Sequence, residues 1–453
     1  MQANVAEPDT IAAVATPPGV GGIGVVRVSG ARVPAIAKAV VDTRLAPRQA
    51  LLTNFRDKGG HAIDRGLALY FPAPASYTGE HVLELQGHGG PVVMDLVLAR
   101  VLELGARLAR PGEFSERAFL NDKLDLAQAE AVADLIESGS REAARAAMRS
   151  LQGEFSRRIQ TLSEALIGLR VHVEAALDFP AEDIDFLDDH ALVQRCAEIR
   201  RQVQACSASA QQGVLLNEGM TVVITGAPNV GKSSLINCLA GFDTAIVTAV
   251  PGTTRDVLRE RIHIQGMPLH IVDTAGLQET SDVVEQEGIK RAWAQIAQAD
   301  LILLVTDAAR PGDKAPDAIR ARLPTGVPCD IVRNKIDLCE EPAGIVDTDA
   351  AACVSLSAKY GTGVELLRER MLQRMGYRQS EAGTLIARRR HLHALHYAEQ
   401  HLDAAHAQLA DCADAALIAE ELKLAQRSLG EIVGEFTSDE LLGRIFSTFC
   451  IGK

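Results

Sequence analysis

The amino-acid sequence predicts a multidomain α/β protein: an N-terminal α+β domain, a helical domain, and an α/β domain with a mainly parallel sheet inserted into the helical one. Three observations support this prediction. The chain has 453 residues, which is enough for about three domains at roughly 150 residues each. Strand and helix patterns alternate from about residue 219 to about residue 376, as is typical of a parallel sheet covered by helices. Alanine-rich helical patterns precede and follow that stretch.

The first domain, residues 1–120, is predicted to mix strands with helices. The runs Ile23–Val28 and Val82–Leu85 are apolar and have glycines beside them, which is typical of strands bounded by turns. Helical stretches such as Val92–Leu104 alternate with these strands. The mixture indicates an α+β domain.

The helical domain is predicted in two parts, residues 121–217 and 379–453, on either side of residues 218–378. From Leu151 to Leu177 the apolar side chains recur every three or four positions, which places them on one face of a helix. The acidic run 178–189 lacks the turn glycine and alternating acids of a calcium loop, so we interpret it as a solvated linker. An inserted domain explains the interruption, because the termini of a domain often lie close together.

Charge and composition exclude several classes of protein. Lysine plus arginine number 46 against 59 acids, a net charge of −13, which excludes a general nucleic-acid coat protein but leaves a local basic patch open. A balance of 47% apolar and 23% charged residues indicates a globular rather than a disordered chain. No apolar run approaches the roughly 18 residues of a membrane-spanning helix, so we expect no contact with membranes.

The expected location is the cytoplasm. The chain opens with Glu7 and Asp9 and soon reaches Pro17-Pro18, which is unlike the basic and then apolar plan of a secretory signal. Its eight cysteines include no C-x-x-C pair. Scattered cysteines in an acidic chain without a signal are typical of a reducing compartment.

A phosphate-binding loop is predicted at Gly226–Ser233, whose sequence GAPNVGKS fits the pattern G-x-x-x-x-G-K-[ST]. The apolar strand Thr221–Thr225 precedes it, and the helical segment Ser234–Leu239 follows it. Glycines let backbone N–H groups wrap phosphates without Cβ clashes. Lys232 then reaches the terminal phosphates, and Ser233 offers its hydroxyl to Mg²⁺. The loop therefore indicates a nucleoside triphosphate site that uses Mg²⁺.

Three further motifs follow apolar strands, in the order typical of GTPases. They are Asp273-Thr-Ala-Gly276, Asn334-Lys335-Ile-Asp337 and Ser357-Ala358-Lys359. An aspartate such as Asp337 that accepts two hydrogen bonds from a guanine edge rejects adenine, because the polar groups of the site would go unpaired. Each motif stands at the carboxyl end of a strand, where α/β folds bind ligands. The four motifs together predict a Ras-like P-loop GTPase domain.

A switch segment is predicted at Pro251–Asp256 (PGTTRD), between the first two motifs. Thr254 is placed to bind Mg²⁺ only when the γ-phosphate is present. Leu277 follows the second motif at the position where many small GTPases carry a water-orienting glutamine. Another group must therefore position the attacking water.

The chain as a whole resembles the bacterial tRNA modification GTPases of the MnmE (TrmE) family. The motif GAPNVGKSS, the run PGTTRD and the ending Phe449–Lys453 (FCIGK) carry the resemblance, together with the order of the domains. Three segments outside the GTPase motifs strengthen it: Ala15–Gly19 (ATPPG), Gly87–Gly90 (GHGG) and Arg110–Lys123 (RPGEFSERAFLNDK).

The resemblance implies a homodimer formed through the N-terminal domain, with a site there for a tetrahydrofolate derivative. The family's folate contacts fall on Arg27, Glu84, Lys123 and Lys453. Cations suit the glutamate tail of a folate, and a carboxylate can pair with the N–H groups of the pterin. Taken without the resemblance, these residues are a strand-edge arginine, a paired surface glutamate and solvated lysines.

The resemblance also implies K⁺ in the GTPase site, with Asn229, Thr248, Val250 and Thr253 as ligands. A monovalent cation there can neutralise charge on the transferring phosphates, as an arginine finger does elsewhere. The family's catalytic acid maps to Glu285, which taken alone is a solvated acid at the start of a helix.

Motifs and resemblance together give one set of predicted ligand-binding residues. Mg²⁺ is assigned to Ser233 and Thr254. The predicted GTP-binding residues are Asn229, Val230, Gly231, Lys232, Ser233, Ser234, Thr248, Ala249, Val250, Pro251, Gly252, Thr253, Thr254, Asp273, Thr274, Ala275, Gly276, Asn334, Lys335, Asp337, Ser357, Ala358 and Lys359.

The reaction and the partners are implied by the resemblance alone. The family acts on tRNA in a heterotetramer with the flavoprotein MnmG (GidA) and adds a carboxymethylaminomethyl or aminomethyl group to C5 of wobble uridine 34, using a one-carbon unit from methylene-tetrahydrofolate. Whether Cys450 takes part stays open. The alternatives are a ribosome-assembly GTPase acting as a binding switch, which would usually carry a basic RNA-binding domain, and a helical scaffold with a degenerate GTPase domain, against which the four intact motifs argue.

Overall fold

The structure is a computed structural model that describes residues 9–178, 190–241, 259–273, 296–297, 299–310, 315–324, 326–347, 352–377, 385–410, 415–436 and 438–452. The chain divides into two compact units. Unit 1 comprises Met1–Ala133, Ser150–Arg200 and Tyr397–Lys453, and unit 2 comprises Asp134–Arg149 and Arg201–His396. Of the acidic run 178–189, predicted to be a linker, Asp178 ends a helix and residues 179–189 lie outside the described residues.

Unit 1 contains a six-stranded sheet in the order β3-β4-β5-β2-β1-β6. All neighbouring pairs are antiparallel except β1 and β6, which run parallel. The strands are β1 (Ile11–Val14), β2 (Gly21–Ser29), β3 (Leu51–Arg56), β4 (Ala62–Phe71), β5 (Val82–Gly89) and β6 (Arg107–Leu108). Both strands predicted in this region, Ile23–Val28 and Val82–Leu85, are confirmed within β2 and β5.

Along β2 and β5, the alternation of side chains places one set of apolar residues in the main core of the unit. Val26 and Val28 on β2, with Leu83 and Leu85 on β5, are fully buried and pack in one core cluster against the helices α1 (Val33–Val41) and α2 (Pro91–Glu103). Residues between them must point to the opposite face. The cross-strand pair Arg27 and Glu84 is placed there by the register of β2 and β5.

The remaining helices of unit 1 include the long helix predicted from its apolar spacing. Leu151, predicted to begin this helical face, instead ends the preceding helix (Arg141–Leu151), and Gly153, with a φ of 78°, separates the two helices. Helix α6 (Glu154–Asp178) buries one face, formed by Phe155, Ile159, Leu162, Leu166, Leu169 and Val173, so the prediction is confirmed from Phe155 to Val173. It packs along α12 (Ala415–Val433). A smaller cluster joins α4 (Leu126–Glu137) to α13 (Asp439–Ser447), the helix just before the C-terminus, and α3 spans Glu113–Leu120.

Unit 2 contains a seven-stranded sheet in the order β12-β13-β11-β10-β7-β9-β8. The strands from β13 to β9 are parallel, and the two edge strands, β12 and β8, pair antiparallel. The strands are β7 (Met220–Thr225), β8 (Arg259–Ile264), β9 (Met267–Asp273), β10 (Leu301–Asp307), β11 (Cys329–Asn334), β12 (Gly344–Asp347) and β13 (Ala352–Ser355). The predicted mainly parallel sheet is confirmed.

The helices of unit 2 follow the strands. They are α8 (Lys232–Gly241), α9 (Ala315–Arg320) and α10 (Val364–Arg374), and a short 3₁₀ turn spans Ile336–Leu338. The helices α5 (Arg141–Leu151), α7 (His190–Glu218) and α11 (Arg389–Ala410) complete the described helices of the chain. Within the described ranges, no helix is both long enough and apolar enough to cross a bilayer.

Candidate functional site

The predicted phosphate loop lies at the carboxyl end of β7 and leads into α8. Gly226 and Gly231 have φ angles of 153° and 96°, which L side chains rarely adopt. Neither glycine has room for a Cβ atom, which would meet the carbonyl oxygen of Val305 at Gly226 and Nδ2 of Asn334 at Gly231. The glycines thus fit a tight backbone cradle for phosphate oxygens at a helix N-terminus.

The polar side chains of the loop face this cradle. Lys232 donates from Nζ to the carbonyl oxygens of Gly226, at 2.9 Å, and Ala227, at 3.0 Å. The ammonium therefore stays against the loop that would hold the phosphates. Ser233 is exposed at the start of α8, so its hydroxyl is accessible to a cation, as the predicted Mg²⁺ contact requires.

Asn334 joins three of the four motifs. It is 2% exposed and lies at the carboxyl end of β11. Its Nδ2 donates to the carbonyl oxygen of Val230 at 2.9 Å, and its Oδ1 accepts from the backbone N–H groups of Lys335, at 2.8 Å, and Ala358, at 2.9 Å. One buried amide thereby fixes the phosphate loop to both segments predicted to bind the base.

The carboxylate predicted to read guanine is held by a neighbouring hydroxyl. Ser357, which is fully buried, donates from Oγ to Oδ1 of Asp337 at 2.6 Å. Asp337 itself is exposed, so the carboxylate is oriented but open to a ligand. Lys359 is also exposed, and its Nζ lies 4.9 Å from the centroid of the Tyr360 ring.

Sequence analysis missed one residue of this cluster, Asp307. It ends β10, and its Oδ2 accepts from Nζ of Lys335 at 2.8 Å. The apolar run Leu301–Val305 comes just before it, which is the same signal that marked Asp273 after β9. This sequence signal is shared by many residues at strand ends, and the pairing with Lys335 is what marks Asp307 as part of the site.

Asn229 and Ser234 of the predicted nucleotide site are also described, and both are exposed. Most of the other predicted nucleotide and cation residues lie outside the described residues. For Asp273 the structure places only the backbone, as the last residue of β9. The residues that lie outside are Thr248, Ala249, Val250, Pro251, Gly252, Thr253, Thr254, Thr274, Ala275, Gly276 and Glu285.

A second candidate site lies in unit 1, on the polar face of the first sheet. Arg27 donates from Nε and Nη2 to Oε1 of Glu84, at 3.0 and 2.9 Å, and their side chains are 17% and 18% exposed. The guanidinium carbon also lies 5.6 Å from the ring centroid of Tyr77 and 5.8 Å from that of Phe114. Aromatic faces stabilise a cation held in this way, and sequence analysis had not linked these rings to the site.

The C-terminal segment folds back onto this site. Gly452 has a φ of 92°, and a Cβ atom there would lie 2.8 Å from both Cα of Ala15 and the carbonyl oxygen of Val14, which ends β1. Its carbonyl oxygen accepts a hydrogen bond from Nη1 of Arg27 at 3.3 Å. Glycine is therefore required where the chain end contacts the sheet, and the contact brings that end to the predicted folate residues.

The other predicted residues of this site are placed less fully. Lys123 is exposed and lies beside Gly79, where its Cε atom would be 3.2 Å from an added Cβ. Lys453 lies outside the described residues. Cys450 is exposed, and its carbonyl oxygen accepts from the N–H of Gly112 at 3.4 Å.

A buried ionic network, also missed by sequence analysis, supports this site from α3. Glu113 is 2% exposed and accepts hydrogen bonds from Arg107, Arg110 N–H and Arg117, the first two at 2.6 and 2.8 Å. Arg117 also binds Glu80 at 3.0 Å. Burial alone would raise the pKa of Glu113, but these donors lower it to about 2. The carboxylate is therefore ionised at neutral pH.

Two family models match this chain. The family model described as the MnmE helical domain matches residues 126–450, more than half of the chain. A second model, described as the N-terminus of the GTP-binding protein TrmE, matches residues 10–123.

Several solved structures are similar to part of this chain. The G domain of the T. maritima FeoB iron transporter is 25% identical, with a TM-score of 0.26, over 34% of this chain and 98% of its own. Era from Aquifex aeolicus, solved with GDP·AlF₄⁻, is also 25% identical, with a TM-score of 0.26, over 40% of this chain and 66% of its own. A GTP-binding protein from Sulfolobus solfataricus is 17% identical, with a TM-score of 0.27, over 48% and 67%.

Proposed function

Because this chain belongs to the MnmE (TrmE) family of tRNA modification GTPases, we propose that it works with the flavoprotein MnmG (GidA) on wobble uridine 34 of tRNA. The chain is a GTP hydrolase that acts in tRNA modification. In the proposed reaction a carboxymethylaminomethyl or aminomethyl group is added to C5 of the uridine, and its one-carbon unit comes from a tetrahydrofolate derivative. The family match favours this reaction over the ribosome-assembly alternative.

The observation that carries the folate proposal is the pair Arg27 and Glu84 on the first sheet, on the face opposite its main core. The pair is only partly exposed, lies against two aromatic rings and is completed by the C-terminal segment. Both hydrogen bonds of Arg27 to the carboxylate go to Oε1, so Oε2 is not used within the pair. A folate offers pterin N–H groups for a carboxylate, an aromatic ring system and an anionic tail, and these residue types suit all three.

Lys123 and Lys453 are proposed to bind the anionic tail. Lys123 is exposed and solvated, which suits a contact with a flexible carboxylate. Lys453 directly follows Gly452, whose carbonyl oxygen contacts Arg27.

The homodimer is proposed to form through apolar residues that unit 1 exposes near one end of its sheet. Val20, Ile23 and Val92 are 91%, 69% and 71% exposed. Gly21 pairs with Gly89, and α2 begins two residues after Gly89, so the start of β2 and the start of α2 are neighbours. Solvent-exposed apolar groups that cluster in this way favour association with another protein surface.

The GTPase site is proposed to use Mg²⁺ and K⁺. Ser233 and Thr254 would hold Mg²⁺, and Asn229, Thr248, Val250 and Thr253 would hold K⁺. The exposed Asn229 has a φ of 63°, a left-handed conformation that asparagine tolerates better than most residues, and this fits a specialised position in the loop. Glu285 is proposed to orient the attacking water. When bound, K⁺ would supply positive charge near the transferring phosphoryl group.

The domain division proposed from the sequence remains 1–120, 121–217, 218–378 and 379–453. Its third part holds all seven strands of the second sheet. We also propose a cytoplasmic location, where tRNA and its modification enzymes meet.

The experiment that tests the proposed function is mass analysis of wobble nucleosides in a deletion strain complemented with variants. The wild-type gene should restore the modified uridine, whereas Arg27→Ala should not, since it removes the partner of Glu84. Arg158→Ala is the matched control, because Arg158 pairs with Glu154 on α6 and is 42% exposed. Normal wobble nucleosides in the deletion strain would refute the function. Full restoration by Arg27→Ala would refute only the folate site.

A further inference from the structure

Asp307 and Lys335 form an ion pair next to the phosphate loop. Oδ2 of Asp307 accepts from Nζ of Lys335 at 2.8 Å, and the two side chains are 10% and 30% exposed. The same Nζ donates to the carbonyl oxygen of Asn229 in the phosphate loop at 2.6 Å. The ammonium therefore bridges the end of β10 and the phosphate loop.

Both members of the pair are held in place by the backbone. The N–H of Ala309 donates to Oδ1 of Asp307 at 3.0 Å, which leaves Oδ2 oriented toward the lysine. Burial raises the pKa of Asp307, but the bonds from Lys335 and Ala309 outweigh it and hold the pKa below its ordinary value. Lys335 has a φ of 69°, and its N–H donates to Oδ1 of Asn334. Its side chain and its backbone are thus both fixed.

The phosphate loop depends on these contacts at two consecutive carbonyl groups. Lys335 binds the carbonyl oxygen of Asn229, and Asn334 binds the carbonyl oxygen of Val230. Asn229 is in the left-handed region, a conformation that costs free energy for a residue other than glycine and needs support from its surroundings. The motif predicted to bind the base and the loop predicted to bind the phosphates are therefore one connected structure.

We propose that Asp307 is a positioning residue of the GTP site: it fixes Lys335, which fastens the phosphate loop to the base-binding motif and so slows the loss of guanine nucleotide. The proposal rests on the nucleotide site described above. In this proposal Asp307 acts through Lys335. Without it, the ammonium has one fixed partner fewer and the loop loses part of its support at Asn229.

A purely structural role for Asp307 makes a different prediction. An aspartate that only stabilises β10 would alter the melting temperature, and its effect on nucleotide release would add to that of Lys335. A residue that acts through Lys335 has no further effect once the lysine side chain is removed. A double-mutant cycle separates these two cases.

The test measures the dissociation rate of a fluorescent GDP analogue from the full-length protein, for Asp307→Ala, Lys335→Ala and the double variant. Each single variant should release the analogue at least about tenfold faster, since a charge-assisted hydrogen bond is lost. The double variant should release it no faster than Lys335→Ala alone. Asp300→Ala is the matched control, because Asp300 accepts from the N–H of Thr221 near the other end of β10, and it should match the wild type.

The proposal would be overturned if the double variant released the analogue faster than Lys335→Ala by the same factor that separates Asp307→Ala from the wild type. It would also be overturned if Asp307→Ala released the analogue at the wild-type rate. If Asp307→Ala does not fold, Asp307→Asn replaces it, because the amide keeps the size and one acceptor oxygen. Its release rate should then lie between those of the wild type and Lys335→Ala, and a wild-type rate would overturn the proposal. Failure of the wild-type protein to bind the GDP analogue would instead overturn the nucleotide site itself.

Discussion

Arg27 donates a hydrogen bond from Nη1 to the carbonyl oxygen of Gly452, which is 425 positions further along the chain, at 3.3 Å. The same guanidinium pairs with Glu84 from the neighbouring strand. The proposed folate site thus combines two strands of the N-terminal sheet with the last residues of the sequence. Its geometry depends on how the C-terminal segment contacts β1.

The first prediction concerns that contact. Gly452→Val should weaken binding of formyl-tetrahydrofolate by about tenfold or more, because a side chain at a φ of 92° is strained and would meet Val14 and Ala15. Calorimetry on the full-length protein measures the affinity. Gly443→Ala is the control, since Gly443 lies on α13 with nothing within 4 Å of an added Cβ. Equal affinity in Gly452→Val and wild type would show that the C-terminal segment takes no part in the site.

The second prediction concerns guanine recognition. Asp337→Asn should shift the preference of the protein from GTP to xanthosine triphosphate, because one hydrogen-bond acceptor becomes a donor. The bond from Ser357 orients the carboxylate, so Ser357→Ala should weaken GTP binding without changing base preference. Competition between the two nucleotides measures preference and affinity separately. GTP affinity that is unchanged in Asp337→Asn would contradict the assignment of the base site.

Much of the nucleotide site could be predicted from the sequence because its motifs are local. A phosphate loop needs glycines at fixed spacing between a strand and a helix, and Gly226 and Gly231 meet that need within a few residues. Parallel strands then bring Asn334 to the same edge of the sheet as the loop. The fold class followed from the same alternation of strand and helix.

The contacts that support both sites could not be predicted, because they join residues far apart in the chain. The pair Asp307 and Lys335 requires the register of β10 beside β11, and the bond from Arg27 to Gly452 requires the docking of the chain end. Nothing in the run RPGEFSERAF marks Glu113 as a buried acid. Glu113 is held by the side chains of Arg107 and Arg117, and no local sequence pattern indicates these contacts.

The third prediction concerns pH. Glu113 has a pKa of about 2 in the folded protein, below the ordinary value of 4.5, so its ionised form stabilises the fold. This contribution is fully present above about pH 4.5 and is lost as the pH falls toward 2, where the folded protein also takes up the proton. At about 1.4 kcal/mol for each pKa unit, the ionised carboxylate adds on the order of 3 kcal/mol to the free energy of unfolding.

Glu113→Gln should therefore lower the free energy of unfolding at pH 7 and flatten its decline below pH 4.5. Denaturant unfolding at a series of pH values measures both effects. Glu103→Gln is the control, because Glu103 is a 57% exposed partner of Arg100 on α2. If the pH dependence of Glu113→Gln matches that of the wild type, the network around Glu113 does not hold an ionised carboxylate.

The fourth prediction is that hydrolysis requires K⁺. Three observations motivate it: Asn229 inside the phosphate loop, the threonine-rich run 248–254, and Leu277 where many GTPases carry glutamine. Without a glutamine or an evident arginine finger, a cation must supply the positive charge that the transferring phosphates need, and a loop of carbonyl oxygens can be spaced for the larger K⁺ ion.

Replacing KCl by NaCl at matched ionic strength should then lower kcat by roughly 100-fold, the scale on which single electrostatic contacts act in transition states, while GDP affinity stays nearly constant. Asn229→Ala should abolish the difference between the two salts, whereas Asn237→Ala, at an exposed position of α8, should preserve it. Glu285→Ala should lower kcat in both salts without weakening GTP binding. Steady-state turnover and calorimetry on the full-length protein measure these quantities, and equal turnover in KCl and NaCl would exclude a K⁺ site.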